Sequence, residues 1–438
     1  MEERHRTLLI KQNPWWQERS IKLPEFERDL HGKILKYVKY RQIIAIVGLR
    51  RVGKTVLIKQ ILQKLEAPKN NLCYISLDDM DFQKYNIAED LINYFLEFSE
   101  KNKTRYLFLD EVQKLPNWSD LLKTLYDTEE NIKIFISGSA SLELSKFKET
   151  LAGRIFTFHM PVLTFKEFAR YYGMESGILE NGLFRDYDFK YAGKKERYRE
   201  LFESYLIKGA FPELFDINDE EFIKKYIRES VIEKAIADIA RLSGEDEKII
   251  FELLRLLANS NARLFEIVNL STILKVNRNR VSHYMSLLEK SFLINVSYNF
   301  TASIAKQVRA GKKQYSAHSC IVIAMLDYSF DVLNTEIAGH LAEAAVAGNL
   351  DSTAFWRTPQ KEEVDIVVKK KEGPLPVEVK YQSHITNSDL KSVVKFCRNF
   401  NARRGIVLTK ELLERREMDD AEILLVPVWL YLLVYDQL

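Results

Sequence analysis

One short stretch constrains this chain more than any other, because it places a glycine-bounded loop between an apolar run and a helix pattern. The loop is Gly48-Leu49-Arg50-Arg51-Val52-Gly53-Lys54-Thr55, and it follows the β-branched residues 43–47. Residues 56–65 after it carry apolar side chains at helical spacing. A buried strand, a loop ending in Gly-Lys-Thr and a helix form the context of a phosphate-binding loop, or P-loop. The sequence therefore predicts a site for a nucleoside triphosphate.

Each residue type in this loop has a task in holding phosphate. The glycines let the backbone bend toward phosphate oxygens, and the N-terminus of the helix favours an anion. We expect Lys54 to reach the β- and γ-phosphates and Thr55 to hold Mg²⁺. ATP and Mg²⁺ are the expected cofactors. The predicted nucleotide-binding residues are Gly48, Leu49, Arg50, Arg51, Val52, Gly53, Lys54, Thr55 and Val56.

Composition limits the kinds of protein that this chain can be. Its 438 residues suffice for two to four domains, and a hydrophobic content of 46% excludes a disordered chain. The 65 basic residues nearly cancel the 62 acidic ones, so any DNA site must be a local patch. Three scattered cysteines predict no disulfide framework and favour a reducing cytoplasm. The longest apolar run is too short to cross a bilayer, so we expect no membrane partner.

A second strand supplies the carboxylates that a P-loop requires. Residues 105–109 are mostly apolar and end in Asp110 and Glu111. We expect Asp110 to hold Mg²⁺ opposite Thr55, and Glu111 to orient or deprotonate the attacking water. Because the pair follows the P-loop by some fifty-five residues, it is typical of a Walker B motif.

A third strand, residues 132–136, ends in Ser137-Gly138-Ser139. A polar group at this strand end can contact the γ-phosphate or the attacking water, which is the sensor-1 task. Ser137 or Ser139 would serve, and the sequence does not choose between them. A glycine turn with a serine helix cap is the equally weighted alternative.

An arginine precedes the next predicted strand, in Leu151-Ala152-Gly153-Arg154. Ring-forming ATPases place at this point the residue that completes a neighbour's site. Arg154 is therefore predicted to stabilise charge on the transferring phosphoryl group in trans, which requires a homo-oligomer. A structural salt bridge is the alternative.

These motifs resemble a group of prokaryotic AAA-type ATPases that end in a restriction-endonuclease-like domain. The resemblance rests on the P-loop, on residues 109–118 and on residues 151–154. Residues 205–213 also resemble the group's pattern, although Ala210 stands where a second glycine is usual. The resemblance covers nearly the whole chain and implies an α/β fold with a parallel sheet between helices. The predicted domains are an ATPase base with an N-terminal helical segment (1–165), a helical lid (166–240), a winged helix-turn-helix (241–300) and a restriction-endonuclease-like α/β domain (301–438).

The third predicted domain has the pattern of a winged helix-turn-helix. Two helical segments, residues 268–274 and 281–290, are followed by a possible wing strand at residues 293–297. In such domains the second helix lies in the major groove. The predicted DNA contacts are Arg278, Arg280, His283 and Tyr284. Docking of another protein is the alternative use of this pattern.

The last domain carries a second group of charged residues. Glu343 falls on a predicted helix, Asp365 on one strand, and Glu378 and Lys380 on the strand that returns beside it. This arrangement resembles the PD-(D/E)xK nuclease motif, although Val364 replaces its proline. The resemblance implies that Asp365 and Glu378 bind Mg²⁺ with Glu343 nearby, and that Lys380 activates a water molecule.

Three functions follow from these patterns. The first is an ATPase acting on DNA with metal-dependent cleavage, and the second is an ATP-driven DNA-binding protein whose nuclease-like fold is silent. The third is a nucleotide-regulated signalling switch that neither cleaves DNA nor responds to it. All three require Lys54.

Overall fold

The computed structural model describes residues 2–138, 150–174, 179–301, 311–350 and 354–438. The chain divides into two compact units. The N-terminal unit comprises residues 1–161 together with 237–244, and the C-terminal unit comprises residues 162–236 and 245–438. The predicted lid, residues 166–240, is thus divided between the two units.

The N-terminal unit is built on a five-stranded parallel sheet in the order β2-β3-β4-β1-β5. Every residue of β1 and β4 is buried, as expected for a parallel sheet that helices cover on both faces. The strands are β1 (Ile43–Val47), β2 (Leu72–Ser76), β3 (Arg105–Asp110), β4 (Ile132–Gly138) and β5 (Ile155–His159). The α-helices are Glu3–Gln12, Asp29–Leu35, Lys54–Lys64, Tyr85–Phe98 and Trp118–Thr128, with the end of Lys234–Ser243.

The edge strand β2 is covered by side chains from the N-terminal segment. The amide of Asn13 donates to the carbonyl oxygen of Tyr74 at 2.8 Å and accepts from its N–H at 2.6 Å. The indole N–H groups of Trp15 and Trp16 both donate to the carbonyl oxygen of Leu72, at 2.9 and 2.8 Å. These bonds satisfy backbone groups that would otherwise invite pairing with another strand.

The C-terminal unit contains two mixed five-stranded sheets, ordered β10-β9-β7-β8-β6 and β11-β12-β13-β15-β14. The first sheet comprises β6 (Arg263–Phe265), β7 (Ile294–Asn299), β8 (Lys312–Ser316), β9 (Ala354–Arg357) and β10 (Glu363–Val364). The second comprises β11 (Ile366–Lys370), β12 (Gly373–Lys380), β13 (Arg404–Thr409), β14 (Glu414–Met418) and β15 (Ala421–Pro427). The α-helices are Phe165–Tyr171, Leu183–Asp186, Lys195–Lys208, Glu220–Lys225, Glu247–Asn259, Ile267–Leu274, Arg278–Lys290, Ser319–Leu326, Ile337–Leu350, Lys391–Phe400 and Val428–Val434.

A run of three helices and three strands lies within this unit. Helix Glu247–Asn259 leads to β6, and the two helices that follow lead to β7 and β8. Both β6 and β7 pair antiparallel with β8. The sequence places apolar residues on one face of each helix, and Leu253, Leu270 and Val281 are buried accordingly.

The last sheet packs against the amphipathic helix Lys391–Phe400. Val393, Phe396 and Cys397 are buried on one face of the helix, whereas Arg398 is exposed. The approach is close, because a Cβ atom at Gly405 on β13 would collide with Val393. Glycine is therefore required at that position of the strand.

Candidate nucleotide-binding site

The P-loop joins the end of β1 to the start of helix Lys54–Lys64, as predicted. Its two glycines are required for different reasons. Gly53 has φ of 98°, a conformation that side chains disfavour. At Gly48 a Cβ atom would collide with the carbonyl oxygen of Met160, because the Met160 N–H donates to Val47 at 2.7 Å. Sequence alone could identify the glycines, but only the fold gives the second reason.

Lys54 is the first residue of the helix that follows the loop, and it is only 5% exposed. Its ammonium donates to the carbonyl oxygens of Gly48 and Leu49 at 3.0 and 2.9 Å. Burial lowers the pKa of Lys54, although the carboxylates of Glu111 and Asp110 oppose this effect. A buried ammonium bonded to neutral carbonyl groups is well prepared to receive an anion, since phosphate oxygens would supply stronger, charged acceptors.

Asp110 is the hydrogen-bonding centre of the site. Its carboxylate is buried at the end of β3 and accepts from Thr55 Oγ1 at 2.7 Å and from the Tyr74 hydroxyl at 2.8 Å. Ser137 Oγ donates to its other oxygen. The structure thus brings the predicted residues Thr55, Asp110 and Ser137 together from three elements. These are oxygen ligands of the kind that Mg²⁺ prefers, so the residues fit the expected ion.

Tyr74 was not predicted from the sequence. It lies on β2, in register with Phe108, two residues before the end of the strand. Side chains alternate along a strand, so Tyr74 shares a face with Ser76, which pairs with Asp110. Pairing of β2 with β3 would have suggested this contact, but the sequence does not show which strands are neighbours in the sheet.

Glu111 follows Asp110 with φ of 56°, in the left-handed region that non-glycine residues rarely adopt. Its N–H donates to Ser137 Oγ at 3.2 Å, and its carboxylate accepts from Gln113 Nε2 at 2.5 Å. Ser137 therefore contacts both predicted carboxylate residues. Ser139, the other sensor candidate, lies outside the described residues.

The remaining loop residues have distinct surroundings. Val52 is buried, and Arg51 is exposed with φ of 66°. The guanidinium of Arg50 donates to Asp238 Oδ2 through Nε at 2.8 Å and through Nη2 at 2.6 Å. Asp238 lies in helix Lys234–Ser243, on the part that belongs to the N-terminal unit. Leu49 is buried and Val56 partly buried.

A buried arginine also holds the loop from outside. Arg28 donates through Nη1 to the Val52 carbonyl at 2.9 Å and through Nη2 to the Pro161 carbonyl at 2.9 Å. It therefore ties the P-loop to the chain that follows β5. Neither Arg28 nor Asp238 was predicted, because they lie 24 and 188 residues from their partners in the loop.

Arg154 lies at the opposite end of the sheet from the P-loop. Its carbonyl oxygen accepts from the N–H of Ile43, the first residue of β1. The five residues of β1 separate it from Gly48 by about 16 Å. Its guanidinium forms a two-bond pair with Asp127, at 2.9 and 3.1 Å, and this pairing lowers the pKa of Asp127. Arg154 is thus remote from the site of its own chain.

The four residues predicted for a nuclease site do converge in the C-terminal unit. Asp365, between β10 and β11, accepts from the N–H of Val379 at 3.0 Å, and its own N–H donates to Glu378 at 3.2 Å. Lys380 pairs with Glu378 at 2.7 Å. Burial, reinforced by the charge of Asp365, raises the pKa of Glu378 to about 8.

Lys313 on β8, which no sequence motif indicated, lies between the carboxylates of Glu343 and Asp365. It is 3% exposed and lies 3.0 Å from Glu343 and 3.1 Å from Asp365. It also pairs with Glu363. Within the described residues, no group of three or more His, Cys, Asp or Glu side chains is arranged to hold a metal ion. The predicted Mg²⁺ ligation by Asp365 and Glu378 does not fit, because the ammonium groups of Lys313 and Lys380 already pair with these two carboxylates.

Three of the four predicted DNA contacts, Arg280, His283 and Tyr284, lie around one carboxylate. Glu245 accepts from Arg280 at 3.1 Å and lies 3.7 Å from His283. Arg278, Arg280 and His283 are exposed on helix Arg278–Lys290. Tyr284 is fully buried, and its hydroxyl donates to Glu245 at 3.0 Å. The structure therefore places Tyr284 in the core, not on a surface that could face DNA, because it lies on the apolar face of the helix.

Comparison with known proteins finds a described family for one segment near the start of the chain. Residues 40–169 match the family model described as "AAA domain". Together with the P-loop and Asp110 geometry, this match identifies an AAA-type P-loop ATPase domain. Residues 199–331 and 332–431 match models described as domains of unknown function, DUF8612 and DUF4143. Those descriptions state no activity, so the winged helix and the nuclease-like domain stay predictions.

Similar proteins extend over most of the chain. The uncharacterized protein MJ1544 of Methanocaldococcus jannaschii is 26% identical, covering 95% of this chain and 93% of that protein. MJ1637 of the same organism is 27% identical, covering 88% and 85%. Among solved structures, the Walker-type ATPase PABY2304 of Pyrococcus abyssi is 15% identical over 70% of this chain and 98% of its own, with a TM-score of 0.45. No helix in the described part of the chain is long and apolar enough to span a membrane.

Proposed function

We propose that this chain hydrolyses ATP with Mg²⁺ at the P-loop. The observation that carries the proposal is the set of contacts centred on Asp110, which joins Thr55 of the P-loop helix to Ser137 of β4. Thr55 and Asp110 are the residues that would hold Mg²⁺. The ion, when bound, would neutralise charge on the β- and γ-phosphates.

The other residues would act on the phosphates and the water. The loop amides and Lys54 bind the triphosphate, and Lys54 then exchanges its carbonyl partners for phosphate oxygens. Ser137 and Glu111 lie in contact at the ends of β4 and β3, where Ser137 can orient a water molecule and Glu111 can accept its proton. Glu111 must first release Gln113, which holds its carboxylate in this structure.

The test is nucleotide affinity and steady-state turnover of four proteins. Lys54→Ala should lose nucleotide binding, whereas Glu111→Gln should still bind ATP and turn it over at least about 100-fold more slowly. The matched control is Lys64→Ala, on the same helix but exposed and paired with Glu27. It should behave like the wild type. Unchanged ATP binding by Lys54→Ala would overturn the proposal.

We further propose that the site is completed by a second copy of the chain. Arg154 is remote from its own P-loop, and its pair with Asp127 is exposed enough to be exchanged for another partner. A neighbour's γ-phosphate would offer such a partner in a homo-oligomer. ATP-dependent assembly, measured by light scattering with and without nucleotide, is the direct check.

DNA binding is the next part of the proposal. The order helix, strand, two helices and two strands, with β6 and β7 both paired to β8, supports a winged-helix assignment for this region. Its second helix exposes Arg278, Arg280 and His283 at its N-terminal end. Neutralisation by Glu245 makes this a weak basic patch, so we expect modest, salt-sensitive affinity.

A nucleotide-regulated switch is the second candidate function. The Arg50–Asp238 pair favours it, because it links the P-loop to helix Lys234–Ser243, whose first residues, 234–236, belong to the C-terminal unit. One experiment separates the candidates: ATP turnover with no DNA, single-stranded, duplex and branched DNA, scoring strand breaks in the same tubes. Turnover stimulated by DNA without breaks supports an ATP-driven DNA-binding protein. Slow turnover unchanged by DNA supports the switch.

A further inference from the structure

The charged group around Lys313 joins four elements of the C-terminal unit. We name it the Lys313 cluster, and its members are Lys313 and Tyr315 on β8, Glu343 on helix Ile337–Leu350, Glu363 and Asp365 at β10 and its end, and Glu378 on β12. All six side chains are buried or nearly so. Two strands of the first sheet, one helix and the residue that leads into the second sheet therefore meet at a single ammonium group.

Every carboxylate of the cluster already has a cationic partner. Glu343 and Asp365 pair with Lys313 at 3.0 and 3.1 Å. Glu363 pairs with both Lys313 and Arg357, and Glu378 pairs with Lys380. Three cations thus face four carboxylates, which leaves one formal negative charge, less than a divalent ion would neutralise.

The carboxylates of the cluster also accept hydrogen bonds from donors within the chain. The Tyr315 hydroxyl donates to Glu343 at 2.9 Å, and the N–H of Val379 donates to Asp365 at 3.0 Å. A Mg²⁺ ion needs oxygens at about 2.0 to 2.1 Å in octahedral geometry. To reach that arrangement, the carboxylates would have to give up these donors and the ammonium of Lys313. Mg²⁺ and the Lys313 ammonium cannot occupy this buried site together, because two positive charges at contact distance repel each other strongly.

We propose that the ammonium of Lys313 is a built-in replacement for a divalent cation. It pairs with Glu343, Glu363 and Asp365 where a nuclease of this motif would hold its metal, so the C-terminal unit holds its shape without metal and does not cleave DNA by a metal-dependent route. The inference concerns the C-terminal unit alone and does not depend on ATP hydrolysis at the P-loop.

The test is metal rescue of a lysine deletion. In nucleotide-free protein, Lys313→Ala should lower the thermal midpoint in EDTA by roughly 10 °C, because it leaves buried carboxylates without their shared cation. Millimolar Mn²⁺ or Mg²⁺ should restore much of this loss by occupying the vacated position. The wild type should not respond. The matched control is Lys312→Ala, the adjacent strand residue, whose ammonium lies 5.1 Å from the Tyr298 ring; it should show neither effect.

Two results would overturn the inference. A folded Lys313→Ala protein that no divalent ion stabilises would mean that the lysine does not stand in a cation's place. Mn²⁺ binding by nucleotide-free wild type in equilibrium dialysis, lost in Glu343→Gln, would mean that the cluster is open to metal. The dialysis measurement uses the wild-type chain, so it decides the second point even if Lys313→Ala does not fold.

Discussion

Two buried lysines show how differently this chain uses an interior charge. Lys54 in the N-terminal unit is bonded to two backbone carbonyl groups, and burial lowers its pKa. Lys313 in the C-terminal unit is equally buried and faces three carboxylates. Burial alone would lower the pKa of Lys313, but the charges of Glu343 and Asp365 hold it well above its usual value.

The difference lies in where the counter-charge comes from. The loop around Lys54 offers neutral acceptors, so an anion from solution would improve the energy of the site. The cluster around Lys313 contains its own counter-charges, so removing the lysine would leave them buried and unbalanced. The first arrangement is suited to binding and the second to holding elements together.

The largest expected effect tests whether Arg154 of a second subunit completes the proposed nucleotide site around Lys54. Arg154→Ala should reduce ATP turnover about a thousandfold while ATP affinity stays near wild type, because the arginine acts on the transferring phosphoryl group. Mixing Arg154→Ala with Lys54→Ala subunits should restore part of the turnover, since some interfaces then combine an intact P-loop with an intact arginine. Turnover is measured by phosphate release.

The control for that experiment is Asp127→Asn, which removes the partner of Arg154 within the chain. It should keep or raise turnover. If Arg154→Ala and Asp127→Asn instead have equal and small effects, the arginine forms a structural salt bridge, and the second subunit is not needed.

The second prediction compares the two lysines directly. Lys313→Met should lower the free energy of unfolding by about 3 to 5 kcal/mol, as expected when one partner of a buried ion group is removed. Lys54→Met should change it by less than about 1 kcal/mol, since only neutral hydrogen bonds are lost. Urea unfolding followed by circular dichroism measures both. Equal losses of unfolding free energy in the two variants would mean that the two lysines do not differ in their contribution to stability.

The third prediction concerns Asp238, whose carboxylate competes with a bound triphosphate for Arg50 of the P-loop. Asp238→Asn should raise ATP affinity about fivefold to tenfold, because Asp238 holds Arg50 and its charge repels a triphosphate. Glu233→Gln, in the same helical run but paired weakly with Arg228 at 3.8 Å, is the matched control. Fluorescence titration with a labelled nucleotide measures the affinity. Weaker binding by Asp238→Asn would mean that the carboxylate supports the loop instead.

The smallest expected effect is at the partly exposed pair of Arg280 and Glu245. In the degree to which its cation is neutralised, this pair lies between Lys54 and Lys313. One carboxylate at the surface satisfies the cation only partly, so an external phosphate can compete with it. Glu245→Gln should raise duplex DNA affinity roughly twofold to threefold at low salt, with a smaller gain at high salt. Glu252→Gln on helix Glu247–Asn259 is the control. Anisotropy measurements that find no DNA affinity in either protein would favour the switch.

Much of the nucleotide site was predictable because its signals are local. The strand, the loop and the helix occupy residues 43–64, and Asp110 and Glu111 stand at the end of an apolar strand. The family match over residues 40–169 confirms the AAA-type domain, and the five-stranded parallel sheet confirms its α/β architecture. The contacts of Arg28, Tyr74 and Asp238 were not predictable, since each joins segments far apart in sequence.

The chain's sequence by itself determined the strand, loop and helix of the P-loop, because glycine placement, strand hydrophobicity and the Gly-Lys-Thr ending act over a few residues. It also brought Asp365, Glu378 and Lys380 close, because they lie on one hairpin. Only the tertiary structure decided what those carboxylates face. Lys312 and Lys313 are neighbours on β8 and look alike in sequence, but strand side chains alternate, and packing alone chose which ammonium entered the core.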